Sequence, residues 1–495
     1  MGELICSEEK KKHIGILVHV KPWQGGSYQY VEFILDAFAA CLDEYVVDVI
    51  CTESGWEKIL KERYPLFSCH RVPFSYEFMV QEIDNMGFDY IFMPTYGVDY
   101  FYEITFKTPL ISVIHDLMYY FQPRGKMWTC KESSYFYQKQ CQRSIGVFVD
   151  SNMGKDHCME ALGHMYEEKL YVLPFRIPNY LYETTTKEVF LKNKKFIFYP
   201  AQFFRIKNHI NLLLALYFLR RKGIYVNLLF TGKGKAGYDD VYDMVKMLDL
   251  ETQVEIIDYV NGAEMKYLLQ EARAMIMPSY AGPTNIPPLE AMFMGCPIAV
   301  SDIFAMPEQI GDAGLIFDPK SIDDIADVLE QLWVDDELCK KLSLRAKNRV
   351  EMFSKELFNQ RFRKEMRAII QKHKSSMQYL ENLVCICRQY REIYLYGAGE
   401  IGFLVGNYLR DKKDIHISGY IVSSLDSTSK ELLGIPIYCF SDIKEKLKNA
   451  LVILALSENI QREITPMLCG VKMGMIHDIS NQEKNEAWVY YVNAH

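Results

Sequence analysis

Residues 277–302 read MPSYAGPTNIPPLEAMFMGCPIAVSD, which has the order of a strand, a Gly-Pro loop, a helix and the next strand. Pro287 and Pro288 suit the first turn of a helix, where a missing N–H costs nothing, and Gly295 suits its end. Such a loop brings unpaired backbone N–H groups to a helix N-terminus, where the macrodipole favours an anion by about 0.3–2 kcal/mol. Thr284 and Asn285 add side-chain donors there, and Glu290, in the first turn, can accept hydrogen bonds from the two hydroxyls of a ribose. A capped βα connection carrying a surface glutamate explains the same residues, and the pattern alone leaves both readings open.

The same rhythm extends outward in both directions. Short apolar, β-branched runs alternate with amphipathic stretches, as in βα units built into parallel sheets. Strands are expected at 13–20, 46–51, 90–94, 110–115, 147–151 and 170–175, then at 196–201, 226–231, 254–259, 274–279, 297–301 and 314–318. A third series is expected at 392–396, 417–422 and 451–456. The fold class is therefore α/β, with two Rossmann-like lobes and a third, smaller Rossmann-like domain. A Thr- and Lys-rich stretch over 182–195 separates the first two lobes, and charged helical sequence from 322 to about 374 leads to the third. The expected domains are 1–182, 183–372 and 390–495.

Composition narrows the function classes. The chain has 495 residues, 49% apolar and 24% charged, and divides into about three domains at roughly 150 residues each. The net charge of -8 argues against nucleic acid as a partner, since binding a phosphate backbone calls for excess lysine and arginine. Thirteen scattered cysteines without a CxxC pair fit reduced thiols rather than a disulfide scaffold or zinc site. No apolar run approaches the roughly 20 residues of a membrane span. The charged run in MGELICSEEKKKH breaks any signal-peptide core. The chain is expected in the cytoplasm, with peripheral membrane contact and the oligomeric state left open.

A second segment, FIFYPAQFFRIKNHINLLLAL at 196–216, puts Arg205 and Lys207 in the loop after a sheet strand. Ligands of open α/β sheets bind beyond the carboxyl ends of strands, and a cation held there suits a diphosphate. Two solvated basic residues opening a helix are the plainer reading. Together these segments resemble glycosyltransferase family 4, the retaining enzymes of GT-B fold, in which two Rossmann-like lobes face each other. PxxxxGPTNIPPLEAMFMGCPI is similar to the donor-site signature of a subset of that family, and YPAQFFRIKNH to its phosphate-binding loop. Weaker matches are VKPWQGGSYQY, ISVIHDLMYY, FVDSNMGKDH and PEQIGDAGLIFDP.

The resemblance implies transfer of a hexose from a nucleotide diphosphate sugar to a carbohydrate or glycoconjugate acceptor in polysaccharide assembly. It implies that Lys207 holds the donor diphosphate, that Glu290 holds the ribose, and that backbone groups around Thr284, Asn285 and Ile286 meet the phosphates or sugar. Gly25 and Gly26 would let their loop approach the diphosphate closely. His115 would face sugar hydroxyls or the acceptor. The chain departs from the family twice: Gly282 stands where an acid usually lies eight positions before Glu290, and Gln202 stands where an arginine usually precedes Lys207 by five, with Arg205 as a candidate substitute. No DxD metal motif is evident, so no metal and no cofactor beyond the donor substrate is expected. Catalysis would rest on stabilising the leaving diphosphate and on positioning.

The third unit carries EIYLYGAGEIGFLVGNYL at 392–409, in which Gly397, Gly399 and Gly402 follow a strand and open a helix. This is the context of a dinucleotide fingerprint. Ser423 and Ser424, however, stand where an acid usually holds the ribose, and Asp426 falls late. A second nucleotide site and a packing turn without a ligand are both consistent with the residues. The competing functions are a catalytically inactive nucleotide-sugar binding protein and an oxidoreductase acting through the third unit.

Overall fold

The computed structural model describes residues 11–494 except 24, 74–75, 96–105, 107, 118–129, 184, 233–236, 283, 425–429 and 470–474. Three β-sheets organise the chain. The first is parallel and runs in the order β3-β2-β1-β4-β5-β6-β7. Its strands are β1 (Lys12–Val18), β2 (Tyr45–Cys51), β3 (Ser68–Arg71), β4 (Tyr90–Met93), β5 (Leu110–Ile114), β6 (Ser144–Val149) and β7 (Leu170–Val172). β1 is central because its apolar run is covered on both faces: Ile14, Ile16, Leu17 and Val18 are fully buried.

The second sheet is also parallel, in the order β10-β9-β8-β11-β12-β13. It comprises β8 (Ile197–Pro200), β9 (Leu228–Thr231), β10 (Val254–Ile257), β11 (Ala274–Met277), β12 (Ile298–Ser301) and β13 (Gly314–Phe317). Both sheets reverse their winding beside the first strand, at β1/β4 and at β8/β11. Crevices at such switch points, beyond the carboxyl ends of the strands, are where doubly wound sheets bind ligands.

The third sheet differs from a purely parallel unit. Five strands, β14 (Ile393–Tyr396), β15 (Gly419–Val422), β17 (Ile435–Cys439), β18 (Leu451–Leu454) and β19 (Met475–Asp478), pair in parallel, while β16 (Glu431–Leu432) pairs antiparallel with β17. It is therefore a mixed sheet, its edge closed by a hairpin turning at Leu433 and Gly434, both at positive φ.

By contacts the chain divides into two compact units. One holds both parallel sheets up to Glu365, and the other runs from Met366 to the end together with residues 80–87 and 103–109. Within the first unit, the helix Lys355–Cys387 starts after the second lobe yet docks on the first: Phe362 is fully buried with its ring 4.8 Å from Phe38 and 5.9 Å from Phe148. A buried ionic cluster fixes that return. Asp36 accepts from Arg176, from Lys355 Nζ at 2.9 Å, from Tyr64 Oη at 2.9 Å and from Asn179 Nδ2 at 2.8 Å. The fully buried Arg176 guanidinium lies 4.5 Å from the Phe33 ring centroid. In the second unit, Leu380, Leu383, Val384 and Cys387 of the same helix pack in the core of the third sheet.

Candidate active site

Lys207 is held by loops that the second sheet aligns. The turn Arg205–Lys207 follows β8, and Asn208, at φ 59°, reverses the chain before the helix His209–Arg221 begins. The Asn208 amide donates to Pro278 O at 2.9 Å and Pro319 O at 2.8 Å, joining the loops after β8, β11 and β13. Tyr199 Oη donates to Lys207 O at 2.7 Å. Desolvation lowers the Lys207 pKa, partly opposed by Asp116. Its ammonium is thus a poorly hydrated cation at the cleft wall.

Two helix N-termini meet across that cleft. The helix Gly25–Ala39 starts at Gly25, whose φ of 64° favours glycine and beside which an added Cβ would find open space. A Cβ on Gly26 would lie 3.6 Å from Ile286 Cδ1, so the first lobe's glycine turn reaches the start of the helix Ile286–Met294 in the second. This second helix begins and ends as its prolines and glycine predict, with Pro in its first turn and Gly295 at φ 68° beyond its last residue. The cleft, of about 940 Å³, is lined by Gly25, Gly26, His115, Gln202, Lys207, Gly282, Thr284, Asn285, Ile286 and Glu290 among others. The structure thus brings together every sequence-predicted donor residue but one. Arg205 is not among the lining residues; its Nε pairs with Asp240 Oδ2 at 2.9 Å and its side chain is largely exposed.

Glu290 is not a surface glutamate, because only 5% of it is exposed. Burial pushes its carboxyl up to about pKa 7, with Tyr180 and Gln29 facing it and partly opposing the shift. The cleft also buries His115, and burial pushes its pKa down to about 4. His115 Nε2 lies 3.1 Å from Pro94 O. A carbonyl only accepts, so Nε2 carries the proton and Nδ1, which has no partner among the described residues, is left as an acceptor. A neutral imidazole in this tautomer can receive a hydrogen bond from a hydroxyl.

Thr284 does not present its donors to the cleft. Its N–H donates to Asp150 Oδ2 at 2.9 Å and its hydroxyl donates to the same oxygen. Asn285 Nδ2 is buried with no partner among the described residues, and the amide lies over Gly282, where an added Cβ would come within 3.2 Å. Gly282 also sits at φ 128°, a conformation closed to an acidic side chain without strain. The acid missing at this position is thus matched by a loop shape that only glycine adopts easily. Asp116, Asp150, Tyr180, Gln29 and Gln309 were not singled out in the sequence, although all but Tyr180 stand inside motifs quoted above: Asp116 in ISVIHDLMYY, Asp150 in FVDSNMGKDH, Gln29 in VKPWQGGSYQY and Gln309 in PEQIGDAGLIFDP.

In the third sheet, Gly397 and Gly402 are fixed by packing. A Cβ on Gly402 would lie 1.9 Å from Gly397 O, and one on Gly397 would lie 2.6 Å from Ala455 O. Gly399 alone borders open space. The strand end carries Ser423 Oγ 3.0 Å from Tyr396 Oη rather than an acid, and Asp426 lies outside the described residues.

Residues 183–349 match the sequence model of the family described as glycosyl transferases group 1. The chain is 31% identical over 123 residues to O-antigen chain mannosyltransferase B of Escherichia coli, a stretch covering 24% of this chain and 32% of that protein. It is 33% identical over 87 residues to O-antigen chain mannosyltransferase RfbU of Salmonella typhimurium, covering 17% of this chain and 25% of that protein. The matched stretches thus span a third or less of these curated relatives. Among solved structures, sucrose-phosphate synthase from Thermosynechococcus elongatus gives a TM-score of 0.58 at 15% identity, over 73% of this chain and 100% of that one. Anabaena HepE in complex with UDP and glucose gives 0.57 at 15% identity, over 72% of this chain and 100% of that one. The likeness fixes the fold as GT-B, with two Rossmann-like lobes and a further mixed-sheet domain.

Proposed function

We propose that the cleft binds a nucleotide diphosphate sugar and passes its hexose, with retention, to a carbohydrate or glycoconjugate hydroxyl. The observation that carries this reading is the meeting of the Lys207 ammonium with the N-terminus of the Gly25 helix at one cleft, facing the start of the Ile286 helix. Such a constellation suits a dianionic diphosphate and gains strength as the leaving group accumulates charge. Its supports are the group 1 match over 183–349, the O-antigen mannosyltransferase relatives, and the UDP-bound state of HepE, a structural neighbour.

In this reading the Glu290 carboxylate accepts from the ribose hydroxyls, Asn285 Nδ2 donates to a donor-sugar oxygen, and His115 Nδ1 accepts from a sugar hydroxyl. As the bond from the anomeric carbon to the diphosphate oxygen breaks, the acceptor oxygen bonds to the same face of that carbon. The acceptor proton passes to the departing diphosphate, so no protein base is required. Lys207 and the N-terminus of the Gly25 helix supply the neutralising charge, and no divalent metal is needed. A thermal-shift panel of nucleotide sugars tests it, since a ligand that binds only the folded state raises apparent stability by mass action. One base class should raise the melting temperature, with or without a chelator. No shift from any nucleotide sugar would contradict the reading.

A further inference from the structure

The donor loop is hydrogen-bonded into a circuit that runs through both lobes. At the end of β6, Asp150 is 3% exposed and takes both the N–H and the hydroxyl of Thr284 on Oδ2, across 134 positions of sequence. Its other oxygen accepts from Ser151 Oγ at 3.0 Å, and Ser151 Oγ caps the helix Asn152–Leu162 by accepting from Gly154 N at 2.9 Å. A side chain at 154 would crowd this corner, since a Cβ there would lie 2.9 Å from Asp150 Oδ1. In the donor loop, Asn285 N–H donates to Gln309 Oε1 at 3.1 Å and Gln309 Nε2 donates back to Asn285 O at 2.7 Å. Beside Gln309, Glu308 returns to the first lobe: its carboxylate accepts from Asn152 N at 3.0 Å, Asn152 Nδ2 at 2.9 Å and Met153 N at 2.9 Å.

We propose that Asp150 is a positioning residue that sets the donor loop from the opposite lobe, so that the loop holds its ligand-binding shape only while the two lobes are clasped. Thr284 and Asn285 are adjacent, and each is pinned by a different arm of the circuit. Releasing Asp150 frees the loop at Thr284, and releasing Glu308 removes the lobe contact behind Gln309. Lobe closure and donor affinity are then one equilibrium, because a ligand bound to the ordered loop favours the clasped state to the extent that it binds that state better. The assignment of residues 282–286 as the donor loop rests on the function proposed above; the circuit does not.

Hydrogen exchange on the full, ligand-free chain tests the circuit. A hydrogen bond to a charged group corresponds to about a ten- to hundredfold change in an opening equilibrium. Asp150→Ala should therefore speed exchange across 281–290 about ten- to a hundredfold, while Asp150→Asn, which keeps an acceptor toward Thr284, should restore most of the protection. From the other lobe, Thr284→Val should speed exchange across 150–154, and it serves as the reciprocal probe should Asp150→Ala fail to fold. Strand β9, outside the circuit, should be unchanged in each variant. In a second arm, calorimetric titration with UDP and with GDP should show about tenfold weaker binding to Asp150→Ala than to the parent, recovered in Asp150→Asn. Unchanged exchange at 281–290 in a folded Asp150→Ala, or at 150–154 in Thr284→Val, would overturn the proposal. Failure of the parent to bind either nucleotide would instead strike the function proposed above, and the exchange result would still decide the circuit.

Discussion

Glu290 is a carboxyl whose burial holds it near pKa 7, faced by Tyr180 and Gln29. Ribose hydroxyls donate, so they bind the ionised form better, and donor affinity should rise with pH through about 7. With UDP-glucose and GDP-mannose as probes, whose phosphates do not titrate in this range, calorimetry at pH 6 and pH 8 should show about a tenfold gain for whichever binds, following the ionised fraction. Glu290→Gln should bind more weakly at pH 8 and lose the slope; a slope equal to the parent's would reject the role. Linkage gives the sign for stability. A folded-state pKa raised above 4.5 means that the folded protein holds the extra proton between about 4.5 and 7, so this group's contribution falls as pH rises through 7. Lys207 and Glu290 were legible in the sequence because each stands at a fixed place after a strand or within a helix start. The bond from Thr284 to Asp150 was not, because it joins residues 134 positions apart and nothing in local spacing encodes it. Arg205 misled for a related reason: its loop was placed correctly, but the acid that claims its side chain, Asp240, lies on another helix.

At the scale of elements, the parallel strands of the two lobes were readable as apolar runs because burial on both faces demands them. β3, with the sequence SCHR and mostly exposed, was missed because an edge strand needs no apolar alternation. β17, IPIYC, contains Pro436, which reads against a strand, and β19, MIHD, is too polar to stand out. The helix from Lys355 was read as charged helical sequence, but not its docking on the first lobe, which depends on Phe362 and on a cluster built around Asp36. Burial pushes the Asp36 carboxyl up, yet Arg176, Asn179 and Lys355 overcome this and hold it below the usual aspartate range. The cluster's stabilisation is therefore present above about pH 4 and lost as pH falls below that. Asp36→Ala leaves the Arg176 guanidinium buried without its carboxylate, which should cost about 3–5 kcal/mol in urea unfolding at pH 7. A loss under about 1 kcal/mol, within the range of an exposed pair, would show that the cluster does not hold the helix.

At the scale of the whole molecule, three sheets were legible in the rhythm of apolar runs, but the junctions between them were not. The boundary expected at residue 390 lies just before the first strand of the third sheet, Ile393–Tyr396, whereas the core of that sheet also takes Leu380, Leu383, Val384 and Cys387 from the preceding helix. Charged helical sequence reads alike on either side of a boundary, so composition could not place it. The two lobes face a common cleft, and the proposed function requires that cleft to be a diphosphate site centred on Lys207. Calorimetric titration of UDP and of GDP into the parent and Lys207→Ala, with circular dichroism to establish that the variant is folded, tests this most directly. A charge-assisted hydrogen bond of about 1.5–3 kcal/mol predicts that the nucleotide which binds the parent will bind the variant about ten- to a hundredfold more weakly. A folded Lys207→Ala that binds that nucleotide as the parent does would contradict the account.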